Sequence, residues 1–269
     1  MTREAPKKET KETTREMTRG DDDLVRKLAY LKIKGLDTDW DEYIAAAQRE
    51  NMSHERFLRH VVDRLHDSKQ TYGRQMRFKR ARITEVWEMA TYPFAKQPKL
   101  KRSRILNIYD SMDYMTKNRN VVFMGPTGVG KTGLATSLLI NAINNGYTGY
   151  FTSFPDLIES LFKSMAAHRE DQLVRRYASY DCLQIDELGY VDVEKAQIGL
   201  FFKLMSMRHN RRTTLLTTNL GFADWPEFLK NERLAAALVD RLTSSSHVIN
   251  MKGCVSLRAR LDVEGNPIQ

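Results

Sequence analysis

Two kinds of hydrophobic patterning divide this chain. Up to about residue 118, apolar residues recur at helical spacing among many charges. Leu24, Leu28, Leu31 and Ile33 are roughly one turn apart. Phe57, Val61, Val62 and Leu65 form one face behind Ser53, a candidate N-cap. They predict a helix that runs on through Gly73 towards Val86 and Trp87. Pro93 and Pro98 break the pattern and predict a linker. Ile105, Leu106, Ile108, Tyr109 and Met112 predict a short helix after it.

From Arg119 onward, short apolar runs alternate with amphipathic stretches. Strands are predicted at Val121–Met124, Gly149–Thr152, Cys182–Asp186, Thr214–Thr218 and His247–Met251. Helices are predicted between them, at Gly133–Asn144, Pro155–Met165, Ala196–Arg208 and Trp225–Thr243. Such alternation predicts an α/β fold: a five-stranded, mostly parallel sheet with helices on both faces, preceded by a small all-helical domain. The expected divisions are a disordered tail over 1–23, a helical domain with its linker over 24–104, the α/β domain over 105–260 and a tail over 261–269.

Composition narrows the picture further. The 269 residues are 41% hydrophobic, enough for a core, and the net charge of +9 biases partners towards polyanions. Cys182 and Cys254 are too far apart for a zinc spacing or a disulfide framework, read as small core residues, and suit a reducing cytoplasm. No apolar stretch approaches the ~20 residues of a membrane span, and the charged N-terminus lacks the apolar core of a signal peptide.

Gly125-Pro126-Thr127-Gly128-Val129-Gly130-Lys131-Thr132 matches G-x-x-x-x-G-K-[ST]. Its glycines let backbone N–H groups turn inward around phosphate oxygens, and the helix that follows aims its positive end at them. Lys131 sets a cation against the β- and γ-phosphates, and the Thr132 hydroxyl is a Mg²⁺ ligand. An apolar strand before the loop and a helix carrying Leu134, Leu138 and Leu139 after it complete the expected setting for ATP. Leu183-Gln184-Ile185-Asp186-Glu187 is an apolar strand ending in two acids. Asp186 can hold Mg²⁺, and Glu187 can polarise an attacking water. Alone, such an ending also fits two solvated acids; the upstream loop favours the metal-binding reading. A whole strand–helix unit, 149–165, separates loop from acids and inserts a strand between the two motif strands.

These segments, with Thr217-Thr218-Asn219-Leu220-Gly221-Phe222-Ala223-Asp224-Trp225 and Asp240-Arg241-Leu242 before Ser245-Ser246-His247-Val248-Ile249, resemble the IstB-like and DnaC-like branch of AAA+ ATPases. The resemblance spans roughly 24–260 and is specific in the ATPase part. It implies a P-loop NTPase fold of the AAA+ type and slow ATP hydrolysis stimulated by DNA or a partner. It further implies homo-oligomerisation on double-stranded DNA and help to a transposase; the alternative is a DnaC-like loader of a replicative helicase. By the same resemblance Asn219 orients water or senses the γ-phosphate, and Arg241 reaches a neighbouring subunit's nucleotide. Read from position alone, Asn219 also fits a turn cap and Arg241 a salt bridge with Asp240, with Arg233 a rival arginine. Too few residues follow Arg241 for the usual helical lid, so the lid's arginine is expected to be missing. Ser256-Leu257-Arg258 stands where the family often carries Ser-Tyr-Arg-Leu, which leaves the role of Arg258 open.

Between Arg56 and Asn120 bases outnumber acids by about ten, as large as the excess of the whole chain. Two clusters dominate. Arg74, Arg77, Lys79, Arg80 and Arg82 form one; Lys99, Lys101 and Arg102, with Lys96 and Arg104, form the other. Both suit phosphate contacts that read no bases, and both also fit solvated helix faces. Arg208, Arg211 and Arg212 are further candidates for DNA or a subunit interface.

Overall fold

A computed structural model describes residues 22–33, 36, 39–191, 193–258, 260–261 and 267–268. The expected N-terminal tail lies outside these residues up to 21. The chain forms two compact units that divide at Gln75 and Met76.

The first unit is helical, as expected. It comprises α1 (residues 22–30), α2 (Trp40–Arg49) and most of α3 (His54–Arg80). Leu28, Leu36 and Tyr43 are buried, and Phe57, Val61 and Leu65 of the predicted helical face pack against them. Ser53 caps α3, its Oγ accepting from the Arg56 N–H at 3.3 Å. The helix stops short of Val86 and Trp87. Arg82 takes a left-handed φ of +55°, and the Ala81 carbonyl accepts from the Phe151 N–H at 2.7 Å. The chain thus leaves the helix to cover a sheet edge, which satisfies backbone groups that an open edge leaves unpaired.

The second unit contains α4 (Arg102–Ser111), α5 (Asp113–Thr116), β1 (Asn120–Met124) and α6 (Lys131–Asn144). Then follow β2 (Gly149–Ser153), α7 (Phe154–Ala166), α8 (Glu170–Ser179), β3 (Cys182–Leu188) and α9 (Lys195–Arg208). The unit continues with β4 (Thr213–Thr218), α10 (Trp225–Phe228), α11 (Glu232–Thr243) and β5 (Ser246–Asn250). All five strands pair in parallel, in the order β2-β3-β4-β1-β5. So a strand does lie between the loop strand and the acid strand, but it is β4; β2, the strand of the 149–165 unit that the spacing points to, stands at the sheet edge beyond β3.

Side chains alternate between two cores on the two sheet faces. From β1, Val122 and Met124 enter one core with Phe154, Phe201 and Trp225. Val121 and Phe123 enter the other with Leu134, Leu139 and Tyr114. Cys182 is fully buried there, and burial pushes its thiol up to about 12; Cys254 is half-buried.

Four features differ from the expected layout. Residues 76–104, assigned to the helical domain by their pattern, pack with the ATPase-like unit, where Ala81, Met89, Tyr92 and Leu100 join its core. Helix α8 has no predicted counterpart, because its sequence is mostly polar and buries only Val174 and Tyr177. The segment expected as one helix over 225–243 is broken at Lys230, with φ +50°, and restarts where Asn231 caps α11 through the Leu234 N–H. Finally, β6 (Arg260–Leu261) and β7 (Pro267–Ile268) pair antiparallel within the expected C-terminal tail. Among the described residues no helix follows β5, and none is long and apolar enough to cross a membrane.

Candidate functional site

The chain leaves β1 at Met124 and turns at once. The Gly125 N–H donates to the Thr218 carbonyl of neighbouring β4 at 3.1 Å, and a Cβ at 125 would press on the Met251 backbone at 2.9 Å. Gly128 and Gly130 take φ values of +81° and +92°, the left-handed region that glycine enters without penalty. A Cβ on Gly128 would stand 2.5 Å from Ser256 Oγ. Helix α6 starts straight after the loop, so its unpaired first-turn amides face the same space. The back of the loop is braced by distant residues. The carbonyl of buried Val129 accepts from the Tyr92 hydroxyl at 3.1 Å and from Gln97 Nε2 at 3.2 Å. The Gly128 carbonyl accepts from the Leu257 N–H at 2.8 Å.

Polar chemistry gathers in front of the loop. The Lys131 ammonium donates to the carbonyls of Gly125 at 2.9 Å and Pro126 at 2.8 Å. Burial pulls its pKa down, while Asp186 and Glu187 act to raise it. Thr132 Oγ1 donates to both Asp186 oxygens, at 3.1 and 3.0 Å. Thr217 Oγ1 donates to Asp186 and accepts from the Glu187 N–H at 2.9 Å, so one hydroxyl fixes both acids. Asp186 is only 5% exposed, and burial raises its pKa against the pull of the two threonine hydroxyls. Glu187 has a left-handed φ of +63° at a register shift in β3, and its side chain lines the cleft. Thr127 Oγ1 and the Tyr190 hydroxyl, 2.7 Å apart, tie the loop to the turn after the acids.

This donor set fits Mg²⁺ held with a nucleotide. Thr132 and Asp186 are hard oxygen ligands side by side, with cationic Lys131 beside them. Among the described residues no group of three or more carboxylates, histidines or cysteines could cage a metal alone. That suits an ion that takes most of its ligands from phosphates and water. The cleft holds about 490 Å³, within the range of small-molecule sites.

Sequence reasoning missed three walls of this cleft. Trp87 lines it, with ring carbons 2.9 Å from where a Gly133 Cβ would sit, so a glycine in the first turn of α6 admits the indole. Thr217 looked like any strand threonine. Arg258 lines the cleft from the segment after β5, and its charge lowers the Lys131 pKa. A cation of the segment after β5 therefore stands beside the phosphate loop.

The remaining predicted residues lie elsewhere. Asn219 follows β4 between the two motif strands, its Oδ1 2.9 Å from a Cβ position on Gly189. Arg241 is at the opposite end of the sheet, where Asn120 Nδ2 at the start of β1 donates to its carbonyl at 3.3 Å. Its guanidinium lies 4.6 Å from the Phe202 ring centroid and donates to the Ala237 carbonyl, and no bridge to Asp240 is formed. Arg233 is exposed on α11. Of the basic clusters, Arg74 belongs to the helical unit, while Arg77, Lys79, Arg80 and Arg82 belong to the second. The Lys99 stem packs on Gly253, Lys101 precedes α4, and Arg102 lies over Phe94 at 5.6 Å. Arg208 is not a surface cation. It is 1% exposed and donates to the carbonyls of Tyr177, Ala178, Tyr180 and Thr213 and to Thr214 Oγ1. Arg212 is paired with Asp181.

Comparison with known proteins agrees with this geometry. A family model described as IstB-like ATP binding protein matches residues 26–264. The ATP-binding protein of insertion sequence IS232 from Bacillus thuringiensis is 36% identical over 62% of this chain and 66% of its own length. Its counterpart in IS21 of Pseudomonas aeruginosa is 29% identical over 84% of this chain and 85% of its own. The solved structure of DnaI has the same fold over 56% of this chain and 85% of its own, with a TM-score of 0.50 at 17% identity.

Proposed function

This chain belongs to the IstB-like ATP-binding family, and from that premise we propose that it is an ATP-dependent helper of DNA transposition. It assembles on duplex DNA and recruits or stimulates a transposase. One observation carries this reading. Lys131, Thr132, Asp186 and Glu187 converge on one cleft, while Arg241 stands at the far end of the same sheet. A site so divided is complete only when a second copy brings its arginine to the first.

The residues then have separate tasks. Amides of Thr127, Gly128, Val129 and Gly130 hold phosphate oxygens, while Gly125, whose N–H is held by Thr218, and Pro126, which has none, shape the loop around them. Lys131 exchanges its two carbonyl acceptors for the β- and γ-phosphates. Thr132 and Asp186 hold Mg²⁺, which when bound neutralises phosphate charge. Glu187 orients a water and accepts its proton, and Asn219 helps place that water. Arg258 adds a cation from its own chain, and Arg241 adds one from the neighbour. The basic residues of 74–102 supply sequence-tolerant contact with the DNA backbone. The names of the relatives, ATP-binding proteins of insertion sequences, support the transposition setting.

Phosphate release by the full-length protein, measured with and without duplex DNA, tests the reading together with light scattering. DNA is expected to raise both turnover and particle mass in the presence of ATP. Glu187→Gln keeps nucleotide binding and assembly but loses turnover. A monomer whose turnover ignores DNA would end this proposal.

A further inference from the structure

A second concavity, of about 460 Å³, lies on the ATPase unit apart from the nucleotide cleft and gathers cations. Arg77, Lys79 and Arg80 reach it from the last turn of α3, Arg82 from just beyond it, and Arg176 from α8. No carboxylate lines it. Among the described residues, none of the five forms an ion pair.

The contrast with other arginines is informative. Arg56, Arg59 and Arg64, earlier on α3, are each paired with a glutamate. Asp181, next to Tyr180 in the groove wall, is already taken by Thr148 and Arg212. Arg77 Nε is buried and has no hydrogen-bond partner. Five like charges facing one hollow repel one another, and an unpartnered buried donor adds to the cost. A polyanion relieves the repulsion. The wall is ordered, with Tyr150 and Tyr180 stacked at 4.8 Å and Arg82 5.9 Å from the Tyr150 ring centroid.

We infer that this groove is a clamp for the phosphodiester backbone of duplex DNA, with Arg176 completing the Arg77–Arg82 cluster. The inference rests on the DNA-binding reading above and gives it a location. It also carries a consequence. The Ala81 carbonyl holds the Phe151 N–H, and Phe151, Thr84 and Trp87 line the nucleotide cleft. Residues 80–87 therefore form one strap between groove and cleft. DNA in the groove and nucleotide in the cleft act on the same segment, so each changes the other's affinity by the same factor.

The test is a salt series of anisotropy titrations with labelled duplex DNA and the full-length protein. Arg176→Gln is expected to reduce the slope of log affinity against log salt by about 0.9, one phosphate contact. Arg176→Lys keeps the charge and the slope. Arg175→Gln, on the same helix but outside the groove, keeps the slope too. In the wild type DNA changes nucleotide affinity, and Arg176→Gln diminishes that change. If the wild type binds duplex DNA but Arg176→Gln has an unchanged slope, the clamp is wrong and the DNA-binding reading stands. The clamp is also wrong if Arg175→Gln reduces the slope as much as Arg176→Gln. If the wild type shows no salt-dependent duplex binding, both fall.

Discussion

Replacing Arg241 by alanine separates nucleotide binding from hydrolysis if this arginine completes a neighbour's site. Its carbonyl is held at the start of β1, whereas the phosphate loop follows the other end of that strand. Strand β1 has five residues, so at ~3.3 Å each the loop is about 16 Å away. The guanidinium is engaged at that far end by Phe202 and the Ala237 carbonyl, so it cannot serve its own chain's nucleotide. Loss of the ring contact and the hydrogen bond costs about 1–2 kcal/mol, small beside a typical total of about 5–15 kcal/mol. Arg241→Ala therefore folds and binds nucleotide as the parent does. Turnover is different. An arginine supplied to a transferring phosphoryl group contributes about a thousandfold or more, equivalent to roughly 4 kcal/mol of barrier. The assay is phosphate release at saturating ATP and duplex DNA, paired with titration of a fluorescent nucleotide. Mixing makes it decisive. Glu187→Gln and Arg241→Ala chains are each inactive alone. Mixed equally, they recover about a quarter of the parental rate, the share of sites where an intact cleft meets an intact arginine across a head-to-tail contact. No recovery on mixing, or a loss of nucleotide affinity in Arg241→Ala, refutes the reasoning.

Three further outcomes are expected. Arg258→Ala loses a charge-assisted phosphate contact and weakens ATP binding about ten- to a hundredfold, read by isothermal titration calorimetry. Asp186→Asn abolishes Mg²⁺-dependent nucleotide binding yet raises the melting temperature of the nucleotide-free protein, because burial raises the carboxyl's pKa in the fold. That residue's contribution to nucleotide-free stability is present at low pH and fades as pH rises through its raised value, so scanning calorimetry of the variant shows its gain at neutral pH and little in acid. Arg208→Met strands four buried carbonyls and costs about 3–5 kcal/mol, a fall in melting temperature on the order of 10 °C by circular dichroism.

What the linear pattern made legible follows from how local each feature is. The phosphate loop needs certain residues at fixed spacing, so Gly125 to Thr132 can be read directly. The strands are short runs whose alternate residues enter two cores, and the spacing of the motifs implies a strand between β1 and β3, although that strand is β4 and not the one in the 149–165 unit. Contacts between distant residues leave no such trace. Nothing near Trp87 marks it as packing on Gly133, and nothing near Gln97 marks its bonds to Val129 and Val255. Arg208 looks like its exposed neighbours Arg211 and Arg212, but the carbonyls at the C-terminal end of α8 require a buried donor, and only the folded chain brings them to it. The instructive miss is the stretch 76–104. Pro93 and Pro98 signal that a helix cannot continue, and from that the pattern placed a linker there. A break in helical periodicity is not a break in packing. Tyr92 and Gln97 brace the phosphate loop, Trp87 walls the nucleotide cleft, and Ala81 closes the edge of β2. The same stretch begins among the arginines of the basic groove. A segment read as a tether thus runs from the groove to the nucleotide cleft beside β2, whose Tyr150 lines the one and Phe151 the other.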